Sequence, residues 1–125
     1  MAYVSVHSYS QQIASPYAIG YEELPNDPET IDQLEAAGKQ ISEAMTAVYG
    51  TKYIYGQSRV IRSLAAGTTK DFMYEKFHVP LSWTWELRDT GEYGFLLPAD
   101  QIRPTFDEIL AGFKELFKFI KSNML

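Results

Sequence analysis

Two histidines, His7 and His78, and no cysteine limit the metal and nucleophile chemistry open to this chain. H-E-x-x-H, H-x-x-E and carboxylate–histidine clusters are absent, so the motifs that usually gather the three or so protein ligands of a catalytic zinc are not here. Neither a G-x-S-x-G nucleophile pattern nor a phosphate loop occurs. Glu86 is the most telling group. It closes the aromatic run LSWTWEL, and a carboxylate ending a buried strand needs a partner or a use. The plain alternative is an ion pair with Arg88, two residues on and on the same strand face, or with another buried cation. His7, at a strand end, has its own plain alternative. Such a residue is more often a hydrogen-bonded structural or surface histidine than a metal ligand.

The elements that must carry these residues can be read from periodicity. Ala2–His7 alternates Tyr3, Ser5 and His7 against Ala2, Val4 and Val6, the period of a strand. Residues 11–25 hold Ser15-Pro16, Gly20 and Pro25 and read as an irregular loop. Asp27-Pro28-Glu29 is a helix start, with Asp27 as cap, Pro28 at the first position and Glu29 complementing the dipole. Ile31, Leu34, Ile41, Met45 and Val48 continue its apolar stripe to Tyr49-Gly50. Tyr53–Tyr55 is a short strand. Residues 63–69 are a small-residue loop, with Thr68 or Thr69 capping a short helix over Lys70–Lys76. Leu81–Leu87 is a buried strand, and Pro98–Gln101 suits a single turn. A last helix opens at Pro104-Thr105. It sets Phe106, Ile109, Leu110, Phe113, Leu116, Phe117 and Ile120 on one face, with Lys114, Lys118 and Lys121 toward its negative end.

Strands alternating with helices predict an α/β layer structure of one domain over residues 1–125. Three visible strands flanked by two amphipathic helices leave an edge or apolar faces uncovered, which points to part of a larger domain. Net charge −5 and a pI near 4.9 argue against a nucleic-acid partner. Apolar runs are too short to span a membrane, and the N-terminus has no signal-peptide pattern.

At His7 and Glu86 the sequence resembles a known family. VSVHSYSQ around His7, the stretch Thr84–Pro98 (TWELRDTGEYGFLLP) and the following QIRPT are similar to zinc metallocarboxypeptidases of the pancreatic carboxypeptidase A/B type. The intervening P-Y, E-L-P, Y-G-T-x-Y-x-Y-G and D-F-x-Y elements fall in family order. The resemblance covers essentially the whole chain but only the C-terminal part of a family catalytic domain. It implies part of a three-layer α/β/α mixed sheet. It also implies peptide or protein C-termini as substrates, zinc as cofactor in the complete enzyme, and secretion.

The implied roles attach residue by residue. His7 matches the last of three zinc ligands. Ser8 and Tyr9 match the segment that binds substrate backbone upstream of the scissile bond. Glu86 matches the glutamate that takes a proton from zinc-bound water and passes it to the leaving amine. Phe95 matches an aromatic subsite residue, and Thr84 and Ala65 match the lining of the pocket for the C-terminal side chain. The family places non-proline cis peptides at Ser8–Tyr9, Pro16–Tyr17 and Arg88–Asp89.

Departures from the pattern matter equally. The family's H-x-x-E ligands and substrate-clamping arginines fall upstream of residue 1. The mobile tyrosine of the family's I-Y-x-A-S-G segment is replaced by Arg62 or Ser63, depending on a one-residue gap. In Gly67–Phe72 (GTTKDF), Lys70 takes the position at the base of the side-chain pocket. A cation there selects a carboxylate side chain and rejects Lys or Arg. The alternative is a solvated lysine at a helix start, with Asp71 able to neutralise it.

Two readings follow. In the first, the chain is part of a zinc carboxypeptidase, inactive alone and completed by an N-terminal half. In the second, it is a degenerate, non-catalytic homologue that binds peptides or a partner. Retention of His7 and Glu86 favours the first, because an unpaired buried carboxylate is costly. No tight zinc site is expected from this chain alone. Self-association, or a marginal fold, is expected from uncovered apolar surface.

Overall fold

The computed structural model describes residues 1–20 and 28–125. A mixed sheet of four strands runs in the order β1-β4-β2-β3. The strands are β1 (Ala2–Ser8), β2 (Gln12–Ser15), β3 (Ile54–Gln57) and β4 (Leu81–Leu87). β1 lies parallel to β4 and β2 parallel to β3, while β2 and β4 are antiparallel. The helices are α1 (Pro28–Tyr49), α2 (Ser58–Ile61), α3 (Thr69–Phe77) and α4 (Ile102–Asn123).

β4 explains the layering. It is central, and its odd and even residues are buried on opposite faces, as expected of a strand covered on both sides. Trp83 and Trp85 face α1 and α4, with Trp85 against Phe113 at 4.8 Å between ring centroids. Ser82 faces the other way and donates to the Lys70 carbonyl of α3 at 2.8 Å. Helices therefore cover both faces of the sheet, giving the three-layer α/β/α arrangement. Among the described residues, no helix is long and apolar enough to cross a membrane.

Several local expectations are corrected. The predicted loop after residue 11 begins with β2. No local signal marks that strand, because it forms by pairing with β4 on one side and β3 on the other. The chain reaches it by folding over the end of β4. Ser10 and Gln11 both donate N–H to the Leu87 carbonyl, at 3.2 and 3.1 Å, and both take positive φ without a glycine to announce it. β3 starts at Ile54, since the Tyr53 N–H goes to Thr46 Oγ1 at 3.0 Å instead of to a neighbouring strand. α2 was not expected at all. α4 begins at Ile102, continuing a 3-10 turn over Ala99–Gln101. Pro104 thus sits in its first turn, where its missing N–H costs nothing. Thr68 occupies the position before α3 but makes no side-chain cap. The expected cap of α1, Asp27, lies outside the described residues.

The apolar face expected of α4 divides in two. Glu108, Gly112, Leu116 and Phe119 are the buried positions, whereas Phe106, Leu110 and Phe117 are exposed. Gly112 is where α4 crosses α1: a Cβ there would lie 2.9 Å from Met45 Sδ and 3.1 Å from Trp85. The peptides Ser8–Tyr9, Pro16–Tyr17 and Arg88–Asp89 are cis, as the resemblance implies.

Candidate functional site

The parallel register of β1 and β4 pairs His7 with Glu86 and Ser5 with Thr84. Residues in register share a face of a sheet, so these four side chains stand on the α3 side. Antiparallel β2 adds Gln12, in register with Glu86 from the other side. The segment after α2 and the start of α3 then wall this face in. Ala65 N–H bonds to the Ala18 carbonyl at 2.9 Å. Asp71 Oδ2 accepts the Ala18 N–H at 2.9 Å.

Two adjoining hollows result. One, of about 350 Å³, is lined by His7, Arg62, Ser63, Ala65, Lys70, Thr84 and Glu86, together with Ala18, Ser58 and residues 67–69. The other, of about 400 Å³, is lined by Ser8, Tyr9, Phe95, Ser10, Gln12 and Ile61. Arg62, Ser63 and Glu86 belong to both. All ten residues singled out in the sequence therefore line one or other hollow. Phe95 is largely exposed and stands edge-on to Tyr9, with ring centroids 5.1 Å apart.

The charges are matched in pairs. Arg62 Nη1 donates to Glu86 Oε1, with the arginine side chain 36% and the glutamate 6% exposed. Of the two plain alternatives, the partner of Glu86 is a cation other than Arg88, so the carboxylate is not a buried charge left without a partner. Arg88 emerges beyond the end of β4 and donates to both oxygens of Glu108 on α4, through Nε at 2.9 Å and through Nη2. It also donates to Thr51 Oγ1 at 2.7 Å, while Tyr53 donates its hydroxyl to Glu108 Oε2 at 2.9 Å. Nothing singled out Glu108 in advance. Its signal was its spacing, since it falls in the i, i+4, i+8 row with Gly112 and Leu116 that turns inward.

Lys70 is not a solvated lysine: it is 2% exposed. Its Nζ donates to Thr68 Oγ1 at 3.1 Å and lies 3.2 Å from Asp71 Oδ1. The latter contact is an ion pair without hydrogen-bond alignment, because Oδ1 has no hydrogen-bond partner. Burial pushes the Lys70 ammonium below the usual lysine range, Asp71 pulls it back up, and the Arg62 charge lowers it further.

His7 is exposed, and its Nε2 lies 2.7 Å from Ser5 Oγ. Among the described residues, no three His, Cys, Asp or Glu side chains converge on a point where a metal ion could sit. The nearest anion to His7 along the sheet, Glu86, is engaged by Arg62. The site offers one imidazole, His7, and its residues do not by themselves fit a catalytic zinc.

A family model described as zinc carboxypeptidase matches residues 1–112. Carboxypeptidase B of Rattus norvegicus is 37% identical over 123 residues, which is 98% of this chain and 28% of that protein. Carboxypeptidase A1 of Sus scrofa is 45% identical over 108 residues, 86% of this chain and 24% of the relative. Bovine thrombin-activatable fibrinolysis inhibitor, in complex with tick carboxypeptidase inhibitor, superposes with a TM-score of 0.85 at 33% identity. That match covers 98% of this chain and 40% of the other. The chain thus spans 24–28% of the length of these two curated relatives.

Proposed function

The chain belongs to the zinc carboxypeptidase family, and from that premise we propose that it forms the part of a peptide hydrolase that carries the general base and the pocket for the departing C-terminal residue. The observation that carries this is the β1–β4 register, which sets His7 beside Glu86 above a cavity containing Lys70. His7 brings one imidazole. The other zinc ligands would have to come from outside residues 1–125, so no metal-dependent step is drawn from this chain alone. Glu86 Oε takes a proton from the attacking water and returns it to the leaving amine. Ser8 and Tyr9 hold substrate backbone, with Phe95 packed on Tyr9. Ala65, Thr84 and Lys70 surround the departing side chain. Peptide and protein C-termini are the substrates, and the complete protein is secreted.

Lys70 directs specificity toward Glu or Asp, with Ser63 and Arg62 at the cavity mouth. A buried ammonium is compensated by a carboxylate side chain, is desolvated without compensation by an apolar one and repels a second cation. The test joins residues 1–125 to a family N-terminal half and compares peptides ending in Glu, Phe and Lys. Glu should be released fastest, and Lys70→Ile should move the preference to Phe. Equal or faster release of Phe or Lys by the unmutated hybrid would reject the assignment.

A second reading has one observation in its favour. Arg62 neutralises the carboxylate that catalysis needs, as in a homologue that now only binds peptides or a partner. A hybrid that binds Glu-terminated peptides without cleaving them would decide for that reading.

A further inference from the structure

Two cations line the cavity, and each is already matched with an anion: Arg62 with Glu86 and Lys70 with Asp71. A carboxylate entering it adds a further anion and competes with Glu86 and Asp71 for the two cations. The pairs are not equally held. Asp71 is anchored a second time by the Ala18 N–H at 2.9 Å, and Lys70 is buried with a further bond to Thr68. Arg62 is more than a third exposed. It follows a single helical turn, on a segment whose residues 62–67 lie at the surface. Its guanidinium borders both hollows. It can therefore turn toward a new partner by side-chain rotation, and its planar fork suits a second carboxylate.

We propose that Arg62 is a ligand-operated latch on Glu86: a carboxylate seated beside Lys70 draws the Arg62 guanidinium away and leaves Glu86 free. This rests on the cavity being the site of an acidic side chain, and it adds a reason why such a side chain, and not another, would unmask the base. Arg62 is a positioning residue here, acting through Glu86. The coupling is reciprocal. If the ligand has to compete with Glu86 for Arg62, removing the Glu86 charge must tighten ligand binding, and must do so only while Arg62 is present.

The experiment is calorimetric titration of glutarate into the 125-residue chain and into Glu86→Gln, Arg62→Gln, the double variant and Lys70→Met. Glu86→Gln should tighten binding by about tenfold, equivalent to about 1.4 kcal/mol. In the Arg62→Gln background the same change should give no gain, a non-additivity that a merely local charge effect would not produce. An unchanged affinity in Glu86→Gln, or a gain that persists without Arg62, overturns the latch. Binding that is lost in Lys70→Met but indifferent to Glu86 overturns the latch alone. Absence of glutarate binding in every variant overturns the pocket assignment as well. NMR of the unmutated chain guards against a variant that fails to fold. The Arg62 Nε–H resonance should move on glutarate saturation, and a stationary one overturns the proposal.

Discussion

Lys70 links burial to a measurable pH dependence. Desolvation lowers its pKa, so the folded state holds this proton less tightly than the unfolded chain does. The cost of keeping the ammonium buried is therefore fully present below the depressed value. It is relieved as pH climbs from there toward the ordinary lysine value of 10.5. Anion binding runs the opposite way, because the same rise removes the cation. Glutarate affinity should decline at a pH below that of an ordinary lysine, and Lys70→Met should flatten the profile; calorimetry across alkaline pH checks both. Asp89 supplies an acid limb. The backbone N–H groups of Tyr93 and Gly91 hold its carboxyl below the usual range, at 2.7 and 2.8 Å. Its contribution to stability is present above the ordinary carboxylate value and lost as pH falls through the depressed one.

Between elements, the Arg88–Glu108 pair ties the end of β4 to α4, and Tyr53 and Thr51 bring in the segment leading to β3. Glu108 is fully buried. Truncating it leaves the little-exposed Arg88 charge and the Tyr53 hydroxyl without their main acceptor, so Glu108→Ala should cost roughly 3–5 kcal/mol in urea unfolding. Replacing both partners by apolar residues should recover part of that loss. Gly38 tests the packing of α1 on the sheet. A Cβ there would lie 2.1 Å from the Tyr55 ring, so the ring has to move, and Gly38→Ala should destabilise by roughly 1–3 kcal/mol. An unchanged melting temperature would mean that Tyr55 simply swings outward.

On the scale of the whole molecule, several large apolar side chains are left uncovered. Ile102, Phe106 and Phe117 on α4 are 68%, 51% and 65% exposed, and Val6 on β1 is 46% exposed. Among the described residues, β1 pairs on one side only. An unpaired strand edge beside apolar surface favours association. Sedimentation should show mass rising with protein concentration, and a strict monomer across the range would contradict this. Zinc titration of the same chain should give no one-to-one sub-micromolar site, since one imidazole and a carboxylate held by arginine do not make a tetrahedral set. A clean tight site would point to ligands shared between copies.

What was legible in the sequence was whatever has a local cause. The long helices and the β4 strand announce themselves through the period of their apolar residues, and the VSVHSYSQ and Thr84–Pro98 stretches suffice to place the chain in its family. Strand β2, the partner of Glu86 and the inward turn of Glu108 were not legible, for one shared reason. Each depends on what lies across space, not on what lies next in the chain. Four residues become a strand only because two neighbours supply hydrogen bonds. A carboxylate pairs with Arg62 and not with the nearby Arg88 because beyond β4 the Arg88 side chain runs to α4. A lysine at a helix start is solvated or buried according to whether another segment closes over it, and here the loop after α2 and the Ala18 segment do so.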